Sequence, residues 1–265
     1  MEIIGYIASV AIGIALGLIG GGGSILTVPV LVYLFSVEVV AATAYSLFIV
    51  GITSAVGSIN YFKNGLVNIK TAIVFGIPSI IAVFLTRAYI VPAIPKELFS
   101  IGGFMVTKSI LIMLLFAVLM IAASYTMIKK DDKKVDNEAT KQSFNYPVIL
   151  LEGTIVGILT GLVGAGGGFL IIPALVILSK LPMKEAVGTS LVIIAAKSLI
   201  GFLGEGRETL IDWQILLSVS VFAIVGIFIG TMLSKKIEGA KLKPAFGWFV
   251  LVMGIYIIMK ETILK

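Results

Sequence analysis

The chain has 265 residues, 59% hydrophobic and 13% charged, with a formal net charge of +6 and a mean hydropathy of +1.15. Apolar runs of about 20 residues, each enough to cross a ~30 Å hydrocarbon layer, recur along it and exclude a soluble globular protein. The lack of cysteine and histidine excludes disulfides, thiolate metal sites and the side chain that titrates most readily near neutral pH.

In chain order the apolar segments are Ile3–Phe35, Val39–Ile59, Thr71–Ile94, Ser109–Ile128, Val148–Ser179, Glu185–Leu203, Trp213–Leu233 and Pro244–Leu264. Lys129–Tyr146, with its Lys-Lys-Asp-Asp-Lys-Lys run, is the most polar stretch and reads as a solvated linker. The start, Met1-Glu2-Ile3-Ile4, has no basic n-region, so the first segment is expected to be structural and not a cleaved signal. The basic residues are scattered over short loops, which fits membrane topology better than nucleic-acid binding.

The first and fifth segments are too long for one span, since about 33 residues of helix extend roughly 50 Å. Each carries a glycine run near its middle, Gly20–Gly23 and Gly164–Gly168. Glycine is costly inside a helix and common just past its end. Each segment is therefore expected to be two shorter helices joined at the glycines.

Those segments head two copies of one sequence. Gly17-Leu-Ile-Gly-Gly-Gly-Gly-Ser-Ile-Leu-Thr-Val-Pro29 returns 144 residues later as Gly161-Leu-Val-Gly-Ala-Gly-Gly-Gly-Phe-Leu-Ile-Ile-Pro173. The register holds without a gap from Gly17–Lys70 to Gly161–Gln214, with 17 of 54 positions identical. This divides one transmembrane domain, 1–265, into repeat one (1–128), the linker (129–146) and repeat two (147–265).

Lysine and arginine favour the cytoplasmic side of a membrane. If both glycine-broken segments fold back as re-entrant hairpins, the loops divide 13 Lys/Arg against 5; if both cross, the division is 10 against 8. The first bias selects hairpins. The expected fold is an all-α integral membrane protein of two inverted repeats, each a re-entrant hairpin plus three transmembrane helices. Both termini then face outside and the linker faces the cytoplasm.

Broken helices in inverted repeats build transporter sites near the midplane. Non-helical backbone is tolerated at that depth only when buried in protein or lining a cavity. The helix starting at each tip, from Ser24 and from Phe169, turns free N–H groups and a positive dipole end towards an anion. The candidate site therefore comprises Gly20, Gly21, Gly22, Gly23 and Ser24 from the first tip, and Gly164, Gly166, Gly167 and Gly168 from the second. Close helix packing is the competing role for these glycines. Ser46 and Ser54, and their equivalents Ser190 and Ser198, are eight apart and share a helix face. These hydroxyls, with Thr189, suit anion binding or interhelical bonds. Lys197, inside a span, reads either as a fixed cation for the substrate or as a snorkelling side chain. Arg87 reads as snorkelling or bonded to a backbone carbonyl, the alternative being an external, anion-attracting vestibule shared with Lys197. Glu152 is the one plausible proton carrier within a span, and an interfacial role suits it better.

The two glycine motifs, with Ala186-Val-Gly-Thr-Ser-Leu191, resemble the sulfite exporter TauE/SafE family across both repeats. The first copy departs from the pattern, reading Ala42-Thr-Ala-Tyr-Ser-Leu47. The resemblance implies a cell-membrane exporter of small sulfur-containing anions such as sulfite or organosulfonates. An anion channel, a carrier of another small anion and a non-transporting subunit of a membrane complex are the alternatives. An intramembrane enzyme is disfavoured, since no span holds histidine, cysteine or aspartate. No cofactor or metal is expected; the expected partners are a small anion and the lipid bilayer. The sequence carries no oligomer signal.

Overall fold

A computed structural model describes residues 2–101, 104–128, 146–164, 166–177, 181–205, 211–234 and 239–263. All of the predicted linker except Tyr146 lies outside the described residues, as does Ala165 in the second glycine run.

Helix α1 (Glu2–Ile19) ends where expected. Gly20 takes the left-handed conformation (φ 84°), and its N–H bonds to the Leu16 carbonyl at 2.8 Å, a glycine C-cap. A 3-10 turn follows (Gly22–Leu26), then α2 (Thr27–Tyr33). Regular helix thus starts at Thr27, later than the expected Ser24. The chain has doubled back by then: the Phe35 ring stacks edge-on to Tyr6, centroids 5.4 Å apart, and lies 2.6 Å from where a Gly5 side chain would sit.

Helix α3 (Val39–Lys63) starts at Glu38, whose carboxylate accepts from the Ala41 N–H at 3.0 Å. Helix α4 (Ile69–Leu85) starts at Asn68, which accepts from the Thr71 N–H at 3.0 Å. It continues through a π-helical turn (Thr86–Ile90) into α5 (Val91–Ala93), forming one span, Ile69–Ala93. Ile69, Ile73, Ile77 and Ile81 are all exposed at four-residue spacing, the apolar stripe that a lipid-facing helix presents.

The 95–108 stretch, expected as a loop, instead holds antiparallel strands β1 (Glu97–Ile101) and β2 (Phe104–Thr107). Its signal was a Gly102-Gly103 dipeptide between apolar runs, a hairpin cue that a search for long helical runs passes over.

The remaining helices are α6 (Lys108–Ile128), α7 (Tyr146–Val163), α8 (Gly168–Ile177), α9 (Met183–Leu203), α10 (Trp213–Ser234) and α11 (Gly239–Thr262). The second copy repeats the local devices of the first. Gly164 is left-handed (φ 75°) and bonds to the Thr160 carbonyl at 2.7 Å. Asp212, equivalent to Asn68, caps α10 by accepting from the Gln214 and Ile215 N–H groups at 3.0 and 3.1 Å.

The protein is predominantly helical, and among the described residues five helices are long and apolar enough to cross a membrane: Val39–Lys63, Ile69–Ala93, Lys108–Tyr125, Met183–Leu203 and Trp213–Ser234. The sixth expected span, Pro244–Leu264, falls largely on α11.

Between lipid-solvated helices, close approach replaces hydrophobic driving force. Helix α1 packs along α10 through Gly13 and Gly17 against Gly226 and Gly230, where a side chain on any of the four would strike the facing backbone. The repeat-equivalent pair, α7 and α4, also packs closely through glycine, Gly157 against the Ser79 carbonyl and Gly161 against the Thr86 side chain. Glycine thus serves close helix packing along the arms, at spacings of four. Each arm leans on a helix of the other repeat. At the centre α3 and α9 run antiparallel: Gly51 meets Leu199, Gly57 meets Leu191, and Leu47 meets Gly201. Outside these, α6 and α11 pack together, with Met113, Phe116, Met120, Val250 and Ile257 in one buried cluster with Ile25 and Val28.

Candidate functional site

The glycine tips lie along two polar stripes. Thr43, Ser46, Val50 and Ser54 occur at i, i+3, i+7 and i+11, one face of α3. Their equivalents on α9 are Val187, Ser190, Ile194 and Ser198. The second tip follows the α3 stripe: a side chain on Gly164 would collide with Thr43, and one on Gly166 would lie 2.6 Å from Val50 Cγ1. The α9 stripe receives both tips, with Gly20 against Val187 and Gly168 against Ile194. The tips touch backbone to backbone at Gly21 and Gly168, and Ser24 Cβ lies 3.4 Å from a side chain built on Gly166. Gly23 instead packs on α1 at Ile12 and Leu16, and Gly22 opens the 3-10 turn.

The hydroxyls divide into two sets. Ser46, Ser54 and Ser198 are fully buried, and their oxygens have no hydrogen-bond partner among the described residues. A buried polar group left so costs about 1–3 kcal/mol. The others are engaged. Ser24 donates to the Gly21 carbonyl at 2.7 Å and Ser190 to the Val187 carbonyl at 2.8 Å. Thr189 accepts from the Asn68 N–H at 2.9 Å. Its equivalent, the Tyr45 hydroxyl, accepts from the Asp212 N–H. These last two bonds tie the start of α4 to α9 and the start of α10 to α3, so Thr189 points to a helix start and away from the tips.

Lys197 is fully buried. Its Nζ donates to Thr160 Oγ1 at 3.0 Å and lies 2.7 Å from a side chain built on Gly167. Among the described residues no carboxylate comes within salt-bridge distance of it. The ammonium therefore sits at the second tip, and the snorkelling alternative does not describe it. An uncompensated buried charge costs several kcal/mol.

Arg87 also departs from expectation. It is 1% exposed and pairs with Glu205, Nη1 to Oε2 at 3.1 Å. It neither snorkels nor bonds to a backbone carbonyl, because a carboxylate at the end of α9 gives it a stronger, charge-assisted partner.

Sequence reasoning missed Thr160, Thr43, Val50 and Ile194. For Thr160 a signal existed. The first copy has Leu16 and Thr53 where the second has Thr160 and Lys197, so the two departures from the repeat occur at positions that form one hydrogen bond.

Comparison with known proteins places the chain in a family. The family model described as "Sulfite exporter TauE/SafE" matches residues 6–257. A "Probable membrane transporter protein" of Xylella fastidiosa (strain Temecula1) is 30% identical over 260 residues, covering 94% of this chain and 92% of that one. "Probable membrane transporter protein YdhB" of Bacillus subtilis (strain 168) is 25% identical, covering 93% and 96%. "Probable membrane transporter protein YunE" of the same organism is 28% identical, covering 88% and 90%. No solved structure matches. With its helical spans and a family match over nearly its whole length, the chain is a multi-pass integral membrane protein and belongs to the sulfite exporter TauE/SafE family of membrane transporters.

Proposed function

We propose that the protein exports small sulfur-containing anions such as sulfite or organosulfonates, by alternating access around the two glycine tips. The observation that carries this reading is Lys197: one buried ammonium at a glycine tip, with no carboxylate beside it among the described residues. A fixed cation in that position is a strong attractor for an anion. The hydroxyls of Ser46, Ser54 and Ser198, without a partner among the described residues, supply donors without further charge. The tip glycines let the backbone come close to the ligand.

Two inverted repeats suit this reading. The equivalent helices α3 and α9 run antiparallel, and α1 on α10 mirrors α7 on α4. The placement of Phe35 on Tyr6 and Gly5 favours a re-entrant hairpin for the first glycine segment. The 13:5 distribution of basic loop residues then puts the 129–146 linker in the cytoplasm and both termini outside. A single cysteine replacing Lys133 should resist an impermeant thiol reagent added to intact cells and react once the membrane is opened. Labelling from outside would reverse the topology.

The test of function is flux through the purified protein in liposomes. Saturable uptake of radiolabelled sulfite that exchanges with unlabelled sulfite on the other side is expected. Single-channel conductance would select a channel, and the absence of any sulfur-anion flux would remove the reading. Thr189 falls outside the proposed contacts. Thr189→Val should lower thermal stability by the value of one hydrogen bond, about 1 kcal/mol, and leave the sulfite dissociation constant unchanged. Weaker binding at unchanged stability would return Thr189 to the site.

A further inference from the structure

The two repeats build two equivalent clefts, and they are closed to different extents. Helix α4 packs on α9 as α10 packs on α3. At one level the clefts match: Gly201 meets Val83 and Gly57 meets Ile227, which are repeat-equivalent contacts. One turn further out they diverge. Between α4 and α9, a side chain on Gly204 would lie 3.1 Å from the Phe84 carbonyl and 3.2 Å from Arg87 Cβ. Arg87 there reaches Glu205 at 3.1 Å, and both side chains are almost wholly buried. The equivalents of Gly204, Phe84 and Arg87 are Asn60, Phe228 and Thr231. Those three line an open groove together with Gly57 and Ile227. Thr231 donates to its own helix at the Ile227 carbonyl, 2.7 Å away, and Tyr61, at the position of Glu205, meets Ser234 of α10 through a neutral side-chain hydrogen bond in place of an ion pair.

Arg87 has two further marks. It rides on the π-helical turn Thr86–Ile90, while α10 is regular helix at the equivalent residues; such turns often mark functional sites. Its Nε and Nη2 have no hydrogen-bond partner among the described residues. A buried guanidinium with one partner is poorly compensated for its lost water, so the closed arrangement has limited depth and can release.

We infer that the Arg87–Glu205 ion pair is the latch of one of two gates. In this conformation it holds the α4/α9 cleft shut, while the equivalent α3/α10 cleft keeps a groove at the same level and is bridged only by the neutral Tyr61–Ser234 contact. The latch rests on the alternating-access reading above. In the topology given there it closes the external side.

The chain has no cysteine, so single reporters can be placed directly. Leu47→Cys and Leu191→Cys are repeat equivalents, lying 3.5 Å from a side chain built on Gly201 and 3.7 Å from one built on Gly57. An impermeant thiol reagent is applied from each side of oriented vesicles. In Glu205→Gln the position 47 reporter should label roughly tenfold faster from the α4/α9 side. The position 191 reporter should label correspondingly slower from the other side. Arg87→Lys keeps a charge but loses the planar fork; it should shift both rates the same way by less, and it decides the matter if Glu205→Gln does not accumulate. A folded variant that labels like wild type at both positions overturns the latch. So does a rise at position 47 with no fall at position 191, which would make the pair a seal and not a latch. Saturating sulfite on wild type separates the two readings. If it drives the reporters in opposite directions while the variants do nothing, the latch fails and the transporter reading stands. If it moves neither reporter, alternating access fails and the latch falls with it.

Discussion

Gly167→Ala is expected to abolish sulfite transport in a protein that still accumulates and folds. Gly167 is left-handed (φ 61°), a conformation that costs an alanine roughly 1–2 kcal/mol. The added methyl would also occupy the space of Thr160 Oγ1 and come within 2.7 Å of Lys197 Nζ. One carbon thus strikes both partners of the hydrogen bond that holds the cation at the tip. The Lys197 stem is flexible, so the ammonium moves before the fold gives way. Gly65→Ala is the matched control. It carries the same backbone penalty, at φ 67°, with nothing within 4 Å of its Cβ, and should lose a little stability and no transport. Gly167→Ala with wild-type flux would show that the tip does not touch the transported ion.

The fold was legible because its main devices leave large marks on the sequence. Apolar runs bounded by loops gave the spans. The 144-residue register forecast that the two glycine runs would break their helices in the same way, and at both breaks the first glycine, Gly20 or Gly164, takes positive φ. The candidate site was only partly legible. A repeat shows which positions correspond, but not which face each presents. Ser46 and Thr189 looked alike as polar residues in matching stretches. The first lies on the tip-facing stripe with no hydrogen-bond partner among the described residues, and the second turns to the start of α4. That difference is set by a rotation about the helix axis and by the neighbour at Asn68, 121 residues away. Arg87 was misread for a related reason. Its partner Glu205 lies 118 residues on, and no local pattern links them.

Lys197→Met should weaken sulfite binding while leaving the protein as stable as wild type, or more so. The two effects have opposite signs because the ammonium is costly to bury and has only the neutral Thr160 hydroxyl as a hydrogen-bond partner among the described residues. Methionine fills nearly the same volume without that cost. A cation that merely fills space would give no change in affinity. One that faces the bound anion contributes a charge-assisted hydrogen bond, about 1.5–3 kcal/mol, so its loss corresponds to roughly a tenfold or greater rise in dissociation constant. Lys197→Arg should retain part of the affinity, because charge survives while reach and shape change. Thr160→Val removes only the group that orients the ammonium and should cost less, about 1 kcal/mol or a fivefold change. The measurement is a sulfite titration of wild type and the three variants at one ionic strength, with melting temperatures recorded without ligand. The order expected in affinity is wild type, then Thr160→Val and Lys197→Arg, then Lys197→Met. Equal dissociation constants across the four proteins would take Lys197 out of the site and leave the anion to the unpartnered serines and the tip backbone. A large stability loss in Lys197→Met would show instead that the ammonium is a structural bolt between α9 and α7, and that the asymmetry between the repeats serves the fold and not the substrate.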